Sequence, residues 1–377
     1  MRRLAIRFAA FAMRLDQKIC SLLFRKRKRR VVFLSRQADE PSLDYLLLSE
    51  ELNRRNEVDS CVFVCCRVSS SLKSVVSFAY CLQKSLYYLA TSRIAVLDSY
   101  WPAVSLVKHD PQRMNVIQIW HALGKIKQSS LQSVGRPGGR SEDVAAELHL
   151  HENYDFVISN ATYWRRFYCE CFGCDYSNLI ELSLPRADFL SSPDEAKRIK
   201  ASVYSRFPSL KDKTVILYAP TFRRTREAGR FDLSGVIEGE AEVVVKCHPN
   251  QLFQVKGAFD CPDYSSMELL LVADLLITDY SAIALEAAVA DVPTVYYLYD
   301  YEEYKKDNGL NIDLPSEMPS CISYDLASLK ELVKSFLQGD YPYNEFAAYK
   351  EKFTPRNIGR ATEDLADFIC ARMTALR

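Results

Sequence analysis

Short apolar runs alternate with helix-like stretches along most of the chain, and this alternation constrains the fold more than any other feature. Strands that alternate with helices are typical of βαβ units around a parallel sheet. The alternation forms two series that a proline-containing stretch, 183–193, separates, and a length of 377 residues suits two domains. We therefore predict an α/β protein with two parallel sheets. The predicted strands are 31–35, 61–64, 94–97, 116–120, 156–159 and 179–182, then 214–218, 242–246, 275–278 and 294–297.

A histidine directly follows the predicted strand 116–120. Trp120 ends the apolar run, His121 comes next, and Lys125 follows after Gly124. Open α/β sheets bind ligands at the carboxyl ends of their strands. An imidazole there can exchange a proton near neutral pH, and Lys125 can meet an anion. The alternative is a structural histidine in the core.

Three strands of the second series also end in polar or turn-forming residues. Together with the strand end at Trp120 and His121, these make four strand ends, which are expected at the same edge of their sheets and can converge on one cleft. The residues that follow the strands are Pro220, Thr221, Arg223 and Arg224 after 214–218, His248 after 242–246, and Asp279, Tyr280 and Ser281 after 275–278.

These strand ends favour the binding of a diphosphate. Ser281 stands where the N-cap of a helix over 281–290 is expected, and the unpaired N–H groups of a helix start can hold a phosphate. His248 can donate to phosphate oxygens, and Arg223 matches phosphate geometry. The alternatives are a plain N-cap, a turn histidine and an exposed loop arginine. Together the groups suit phosphoryl transfer by positioning and electrostatics, without a covalent intermediate.

The first 30 residues carry eleven Lys or Arg and one acid, Asp16, while the rest of the chain is net negative. Apolar residues recur there at three- and four-residue steps, which predicts an amphipathic helix suited to the surface of an anionic membrane. Charged residues interrupt every stretch that would be long enough to span the bilayer or form a signal peptide. The alternative is a solvated arm or one that binds nucleic acid. We expect this segment to bind a membrane surface, and we expect no nucleic-acid partner.

The sequence requires no cofactor. It contains neither G-x-G-x-x-G nor a Walker A sequence, and Asp279 has no evident acidic partner for a metal. The twelve cysteines of a chain without a secretion signal indicate reduced thiols in a cytosol. Cys169, Cys171 and Cys174 follow two histidines, but their spacing matches no standard zinc pattern.

Several segments resemble the CDP-glycerol glycerophosphotransferase family, which includes teichoic acid primases and polymerases and related capsule polymerases. The resemblance spans about residues 90–315. The segments are Trp120-His121-Ala122-Leu123-Gly124-Lys125-Ile126-Lys127, Pro185-Arg186-Ala187-Asp188, Tyr218-Ala219-Pro220-Thr221-Phe222-Arg223, His248-Pro249, Ile277-Thr278-Asp279-Tyr280-Ser281, and the tyrosine-rich stretch 296–304.

The resemblance implies a GT-B fold, in which two Rossmann-like domains face a cleft. It implies His121 as the general base on an acceptor hydroxyl, and His248 as a catalytic group on the donor diphosphate. The implied substrate contacts are Trp120, Lys125, Arg186, Pro220, Thr221, Arg223, Asp279, Tyr280, Ser281 and Glu286. Arg186 has an alternative partner in Asp188. The expected divisions are a membrane-associating helix (1–30), an acceptor-side domain (31–190), a CDP-donor domain (191–345) and C-terminal helices that pack back on the first domain (346–377).

The implied reaction transfers a polyol phosphate from a CDP-polyol to a lipid-linked glycan or teichoic acid and releases CMP, at the cytoplasmic face of the bacterial membrane. Three positions depart from the family pattern: Ala122 for a glycine, Ala282 for a second serine, and Glu286 near a frequent aspartate. These departures leave CDP-glycerol and CDP-ribitol both open as donors. The alternative function is a GT-B glycosyltransferase that uses a nucleotide sugar.

Overall fold

The computed structural model describes residues 2–24, 26–69, 71–221, 231–237, 239–246 and 258–376. The helices are α1 (Arg2–Leu23), α2 (Leu43–Asn53), α3 (Leu72–Thr91), α4 (Pro102–Ser105), α5 (Glu142–Glu147), α6 (Arg165–Phe172), α7 (Arg186–Ser191), α8 (Pro193–Arg206), α9 (Ser266–Leu270), α10 (Ile283–Val289), α11 (Tyr301–Asp307), α12 (Leu314–Glu317), α13 (Leu326–Leu337), α14 (Tyr343–Phe353) and α15 (Ala361–Ala375). The strands are β1 (Lys28–Ser35), β2 (Ser60–Cys65), β3 (Ser92–Leu97), β4 (Asn115–Gln118), β5 (Phe156–Ile158), β6 (Leu179–Ile180), β7 (Thr214–Tyr218), β8 (Ala241–Val245), β9 (Phe259–Asp260), β10 (Leu275–Thr278), β11 (Thr294–Tyr297) and β12 (Ile322–Ser323).

The strands form two parallel sheets of six strands each. The first has the order β2-β1-β3-β4-β5-β6 and the second the order β12-β11-β10-β7-β8-β9. Val31 to Leu34 of β1 and Ile94 to Leu97 of β3 have no exposed surface. Such continuous apolar strands are expected where helices cover both faces of a parallel sheet. The prediction of an α/β protein with two parallel sheets is confirmed.

All ten predicted strands are present, and their boundaries differ by at most three residues. The sequence pattern did not predict β9 and β12, because each strand is two residues long and carries no apolar run. The predicted helix 281–290 begins at Ile283, and its N-cap is Ala282. The assignment of Ser281 as the N-cap was therefore wrong, because the serine lies one residue earlier.

Contacts divide the chain into two compact units. The first comprises residues 1–121, 129–186 and 360–377, and the second comprises 122–128 and 187–359. The boundary between the two units after Arg186 lies inside the stretch 183–193, which separates the two series of predicted strands. Helix α14 belongs to the second unit and α15 to the first. The short segment that follows His121 belongs to the second unit, although β4 before it belongs to the first.

Helix α1 ends at Leu23, and residues 26–30 of the basic run are not helical. Lys28 already begins β1, Arg30 is buried, and the Arg27 guanidinium donates to the carbonyl oxygens of Leu89 and Ser92. The helix expected over 1–30 is therefore shorter, since three of the basic residues extend the first strand. Among the described residues, no helix combines the length and the apolar content needed to cross a bilayer.

Candidate active site

His121 follows β4 in the first unit, and backbone and aromatic groups fix its ring. Its Nδ1 lies 2.9 Å from the carbonyl oxygen of Asp98, which follows the neighbouring strand β3. Trp120 has a left-handed φ of +62°, and its N–H donates to Gln118 Oε1. This turn lays the indole on the imidazole, with ring centroids 3.9 Å apart. Since an aromatic face attracts a cation, this contact favours the protonated form of the His121 ring.

The contact with Asp98 determines which nitrogen of His121 can act as a base. A carbonyl oxygen only accepts, so the Nδ1 of neutral His121 carries the proton and donates it to Asp98. The lone pair then lies on Nε2. Gln37 Nε2 lies 3.2 Å from the same Nδ1. In this tautomer the amide oxygen and nitrogen of Gln37 are exchanged, so that the oxygen accepts from the Nδ1–H. The arrangement suits proton abstraction by Nε2.

Arg186 at the start of α7 connects His121 to α2. Its Nη1 donates to the carbonyl oxygen of His121 over 2.9 Å, and its Nε and Nη2 donate to Asp44 Oδ2. The backbone N–H of Arg186 also donates to Asp44 Oδ1. Asp44 is 1% exposed, in the first turn of α2. Arg186 therefore positions the His121 main chain, and Asp44 is an ion-pair partner of its guanidinium.

Asp98 places a second buried carboxyl group near this cluster. Its Oδ2 accepts a hydrogen bond from Ser35 Oγ over 2.8 Å. Burial raises the pKa of Asp98 to about 7, an effect that hydrogen bonds from Ser35 and Ser99 oppose. The side chain of Asp98 therefore changes its charge near neutral pH, while its main-chain carbonyl oxygen contacts the His121 ring.

The second unit contains the segment after His121. Leu123 N–H donates to Glu286 Oε1 of α10 at 3.4 Å, and Asn311 Nδ2 donates to the carbonyl oxygen of Lys125. Lys125 and Glu286 are each 2% exposed. A charged side chain at such depth requires compensating partners. Both predicted contact residues are thus buried in this unit, where Glu286 anchors the segment through Leu123.

Asp279 fixes the loop that follows the adjacent strand β7. Both of its carboxylate oxygens accept the backbone N–H of Thr221, at 2.9 and 3.0 Å. Thr278 Oγ1 donates to the carbonyl oxygen of Ala219 in the same loop. The structure therefore brings Pro220, Thr221 and Asp279 together at the carboxyl ends of β7 and β10, as the sequence predicted.

Tyr280 and Ser281 differ in their surroundings. Tyr280 is fully buried, stacks on Tyr304 at 3.9 Å, and donates to Asp300 Oδ1. These contacts are typical of a residue that supports the site from the core. Ser281 is partly exposed, and its Oγ lies 3.5 Å from the N–H of Ile283 in the first turn of α10.

Two predicted site residues, Arg223 and His248, lie outside the described residues. Within the described ranges, no three His, Cys, Asp or Glu side chains are grouped so that they could hold a metal ion. The eleven cysteines of those ranges are all free thiols.

The sequence reading missed Asp44 and Asp98. Asp98 follows a predicted strand, which is the same feature that singled out the other strand ends, so it could have been found. Asp44 lies 142 positions from Arg186, and nothing in the local pattern connects the two residues.

The family model for CDP-glycerol:poly(glycerophosphate) glycerophosphotransferases matches residues 17–371. A teichoic acid poly(ribitol-phosphate) polymerase of Bacillus spizizenii is 30% identical over 91% of this chain and 56% of its own length. A ribitol-phosphate primase of the same organism is 30% identical over 77% of this chain and 78% of its own length. A glycerol-phosphate primase of Bacillus subtilis is 25% identical over 76% of each chain. The chain therefore spans little more than half of the first relative.

Solved structures with the same fold include the wall teichoic acid polymerase TagF. Its TM-score is 0.75 at 18% identity, and the likeness covers 99% of this chain and 98% of that chain. A UDP-GlcNAc 2-epimerase of Neisseria meningitidis has a TM-score of 0.57 at 13% identity, over 91% of this chain and 100% of its own. At these identities the likeness shows the fold alone.

Proposed function

The chain belongs to the CDP-glycerol:poly(glycerophosphate) glycerophosphotransferase family, and we propose that it transfers a polyol phosphate from a CDP-polyol to a hydroxyl group of a teichoic acid acceptor. The observation that carries this proposal is the contact of His121 Nδ1 with the Asp98 carbonyl oxygen at 2.9 Å. The contact leaves Nε2 as the basic nitrogen that the reaction needs. The names of the three relatives, all primases or polymerases of teichoic acids, support the substrate class.

In the proposed reaction, the acceptor oxygen attacks the phosphorus that carries the polyol. A new P–O bond forms to the acceptor, and the P–O bond to the CMP phosphate breaks. His121 Nε2 takes the proton of the acceptor hydroxyl, and CMP leaves with the electron pair of the broken bond. Trp120 stabilises the imidazolium, and the Arg186–Asp44 pair holds the backbone of His121 in place.

We propose that the second unit binds the CDP-polyol. The Asp279 carboxylate fixes the Thr221 backbone, so Thr221, Pro220 and Ser281 form a loop edge for the donor. His248 and Arg223 remain predicted ligands of the diphosphate, where cationic groups would offset the charge on the leaving CMP.

We further propose that α1 and α3 attach the protein to a membrane surface that carries the lipid-linked acceptor. Ala10, Met13, Gln17 and Cys20 of α1 are buried, whereas the opposite face is exposed. Helix α1 packs on α3, which has its own exposed apolar residues. Large apolar residues exposed on two packed helices are typical of an interfacial surface. This apolar surface, with exposures from 47% to 81%, comprises Leu4, Phe8, Phe11, Leu15, Ile19 and Leu22 of α1 and Leu72, Val75, Val76 and Tyr80 of α3.

A donor panel tests the proposed chemistry. Purified protein is given CDP-glycerol, CDP-ribitol or a nucleotide sugar together with a teichoic acid acceptor, and both the nucleotide released and the product mass are measured. We expect CMP and a mass gain of one polyol phosphate. Release of a nucleoside diphosphate with a mass gain of one sugar would instead establish the glycosyltransferase alternative.

A further inference from the structure

A pocket of about 720 Å³ opens in the first unit, apart from the residues assigned above. Its walls come from α5, from the loop 148–154, and from the end of α6. Two short 3₁₀ turns, Ser130–Ser133 and Tyr176–Asn178, complete it. Pockets of roughly 300–1,000 Å³ are the usual size for small-molecule sites, so this one can hold a ligand the size of a sugar.

Aromatic contacts connect this pocket to the proposed base. Phe172 lines the pocket and meets the Trp120 ring edge to face, with centroids 5.3 Å apart. Trp120 in turn lies on His121. A ligand in the pocket would therefore be separated from the reacting hydroxyl by these rings. The pocket suits a part of the acceptor beyond the unit that reacts.

The charges of the lining residues restrict the ligand. Glu152 and Asp175 contribute carboxylates, and no Lys or Arg occurs among the described lining residues. Glu152 pairs with His149 at 2.9 Å. Because carboxylates repel phosphate and accept hydrogen bonds from hydroxyl groups, the pocket favours a neutral ligand rich in hydroxyls.

The wall of the pocket is held in an unusual backbone conformation. His149, His151 and Asn153 have left-handed φ values of +46°, +65° and +68°, a backbone conformation that is uncommon for residues other than glycine. The His151 ring bonds to the Tyr154 hydroxyl, and Asn153 Nδ2 donates to two carbonyl oxygens. Such strain persists where the surroundings enforce it, and it concentrates at ligand sites. A wall fixed in advance loses little entropy when a ligand binds.

We propose that this pocket, which we call the saccharide pocket, binds a neutral sugar unit of the acceptor while a neighbouring hydroxyl group reaches His121. The proposal rests on the proposed function for the reaction, but the binding itself does not depend on turnover. The phosphate-bearing part of the acceptor lies outside the saccharide pocket.

The binding test uses glucose, N-acetylglucosamine and glycerol 3-phosphate as probes in saturation-transfer NMR. Ala146 is an exposed residue of α5 that lines the pocket, so Ala146→Trp introduces a large side chain at its wall. Ala201→Trp places the same side chain at an exposed site on α8 and is the matched control. We expect the sugars to lose at least tenfold in affinity in Ala146→Trp alone, while glycerol 3-phosphate is unaffected. Unchanged sugar binding, or no sugar binding to the wild type, would overturn the proposal.

A second variant keeps the proposal testable if Ala146→Trp does not fold. Glu152 is mostly exposed, so Glu152→Gln removes a carboxylate without changing the pocket volume. We expect a loss of sugar affinity of about threefold or more, with a melting temperature close to that of the wild type. Equal sugar affinity in Glu152→Gln and wild type would contradict a role for its carboxylate and thus the proposed ligand class.

Kinetics separate the saccharide pocket from the reaction itself. Two synthetic acceptors are compared, one with a sugar next to its terminal polyol phosphate and one with polyol phosphates alone. In Ala146→Trp we expect at least a tenfold rise in KM for the first acceptor only, with unchanged kcat. An equal rise for both acceptors would argue against the saccharide pocket. If no CDP-polyol yields CMP, the proposed function fails, and the NMR result still decides the pocket.

Discussion

The Arg186 guanidinium donates to the main-chain carbonyl oxygen of His121 over 2.9 Å, while Asp44 holds the same guanidinium. The charged pair thus acts on the backbone of the proposed base. Because the side chain of Asp44 is 2% exposed and that of Arg186 is 12% exposed, removal of Arg186 would leave a buried carboxylate without this partner, at a cost of about 3–5 kcal/mol. A conservative substitution is therefore a better test of positioning than a truncation.

Arg186→Lys is expected to reduce kcat by roughly 10- to 100-fold with little change in donor affinity. Lysine keeps the charge near Asp44 but lacks the planar fork that also reaches His121, and small misplacements of a catalytic group cost rates of this size. Turnover and calorimetric titration with CDP-glycerol or CDP-ribitol measure the two quantities. Arg198→Lys, in the exposed pair with Glu195, is the control. A loss confined to donor affinity would favour the predicted contact of Arg186 with the donor.

His121→Ala is expected to lower CMP release by about 10²- to 10⁴-fold, the usual contribution of a general base. Donor binding should persist, since the residues proposed to bind the donor lie in the second unit. His109, which pairs with Asp155, provides the control variant His109→Gln. Near-normal CMP release by His121→Ala would contradict the proposed role of His121 as the general base.

Asp98 should make stability depend on pH. Its pKa of about 7 in the folded chain exceeds the usual value of about 3.9. Between these two values the folded state binds more protons than the unfolded state. Unfolding free energy should therefore fall as pH rises through that window, by up to about 1.4 kcal/mol per pH unit.

Melting temperatures of wild type and Asp98→Asn from pH 4 to 8 test this dependence. The asparagine cannot ionise, so its variant should lose less stability as the pH rises. Asp212→Asn, at an exposed position, should follow the wild type. Parallel curves for wild type and Asp98→Asn would show that Asp98 does not titrate in this window.

Phe8→Glu combined with Phe11→Glu should weaken binding to vesicles by at least tenfold, because burial of each apolar side chain contributes roughly 1.5–3 kcal/mol. Both residues are exposed by 65% or more, so the fold should tolerate the change. Cosedimentation with phosphatidylglycerol vesicles measures the effect. Leu46→Glu, at an exposed position on α2, is the control. Equal loss in the control, or no loss in the double variant, would reject the apolar surface as a membrane contact.

Asp279→Asn is expected to weaken CDP-polyol binding by about 10- to 100-fold. The carboxylate accepts the Thr221 N–H with both oxygens, and hydrogen bonds to charged groups contribute roughly 1.5–3 kcal/mol. Calorimetric titration measures donor affinity, with Asp212→Asn again as the control. If Asp279→Asn bound the CDP-polyol with wild-type affinity, the hydrogen bonds from Thr221 N–H to Asp279 would not be needed for donor binding.

The sequence predicted the strands and the polar residues after them, because local hydrophobic periodicity decides both. Strand β4 is buried along its length, and its apolar run led directly to Trp120 and His121. The same reasoning brought Thr221 and Asp279 together, since adjacent parallel strands end at one edge. The family resemblance rests on contiguous sequence segments, so recognising it required no knowledge of contacts between distant residues.

The sequence by itself determined the two parallel sheets, the positions of the strand ends and the family. Only the tertiary structure decided that Asp44 pairs with Arg186, that Asp98 is buried beside the base, and which face of α1 packs inward. Ala10 and Phe8 illustrate the reason: both are apolar residues of one helix, and one is buried while the other is exposed. Periodicity assigns residues to faces, but only contacts with α3 and α5, formed by residues far along the chain, select the face that is covered.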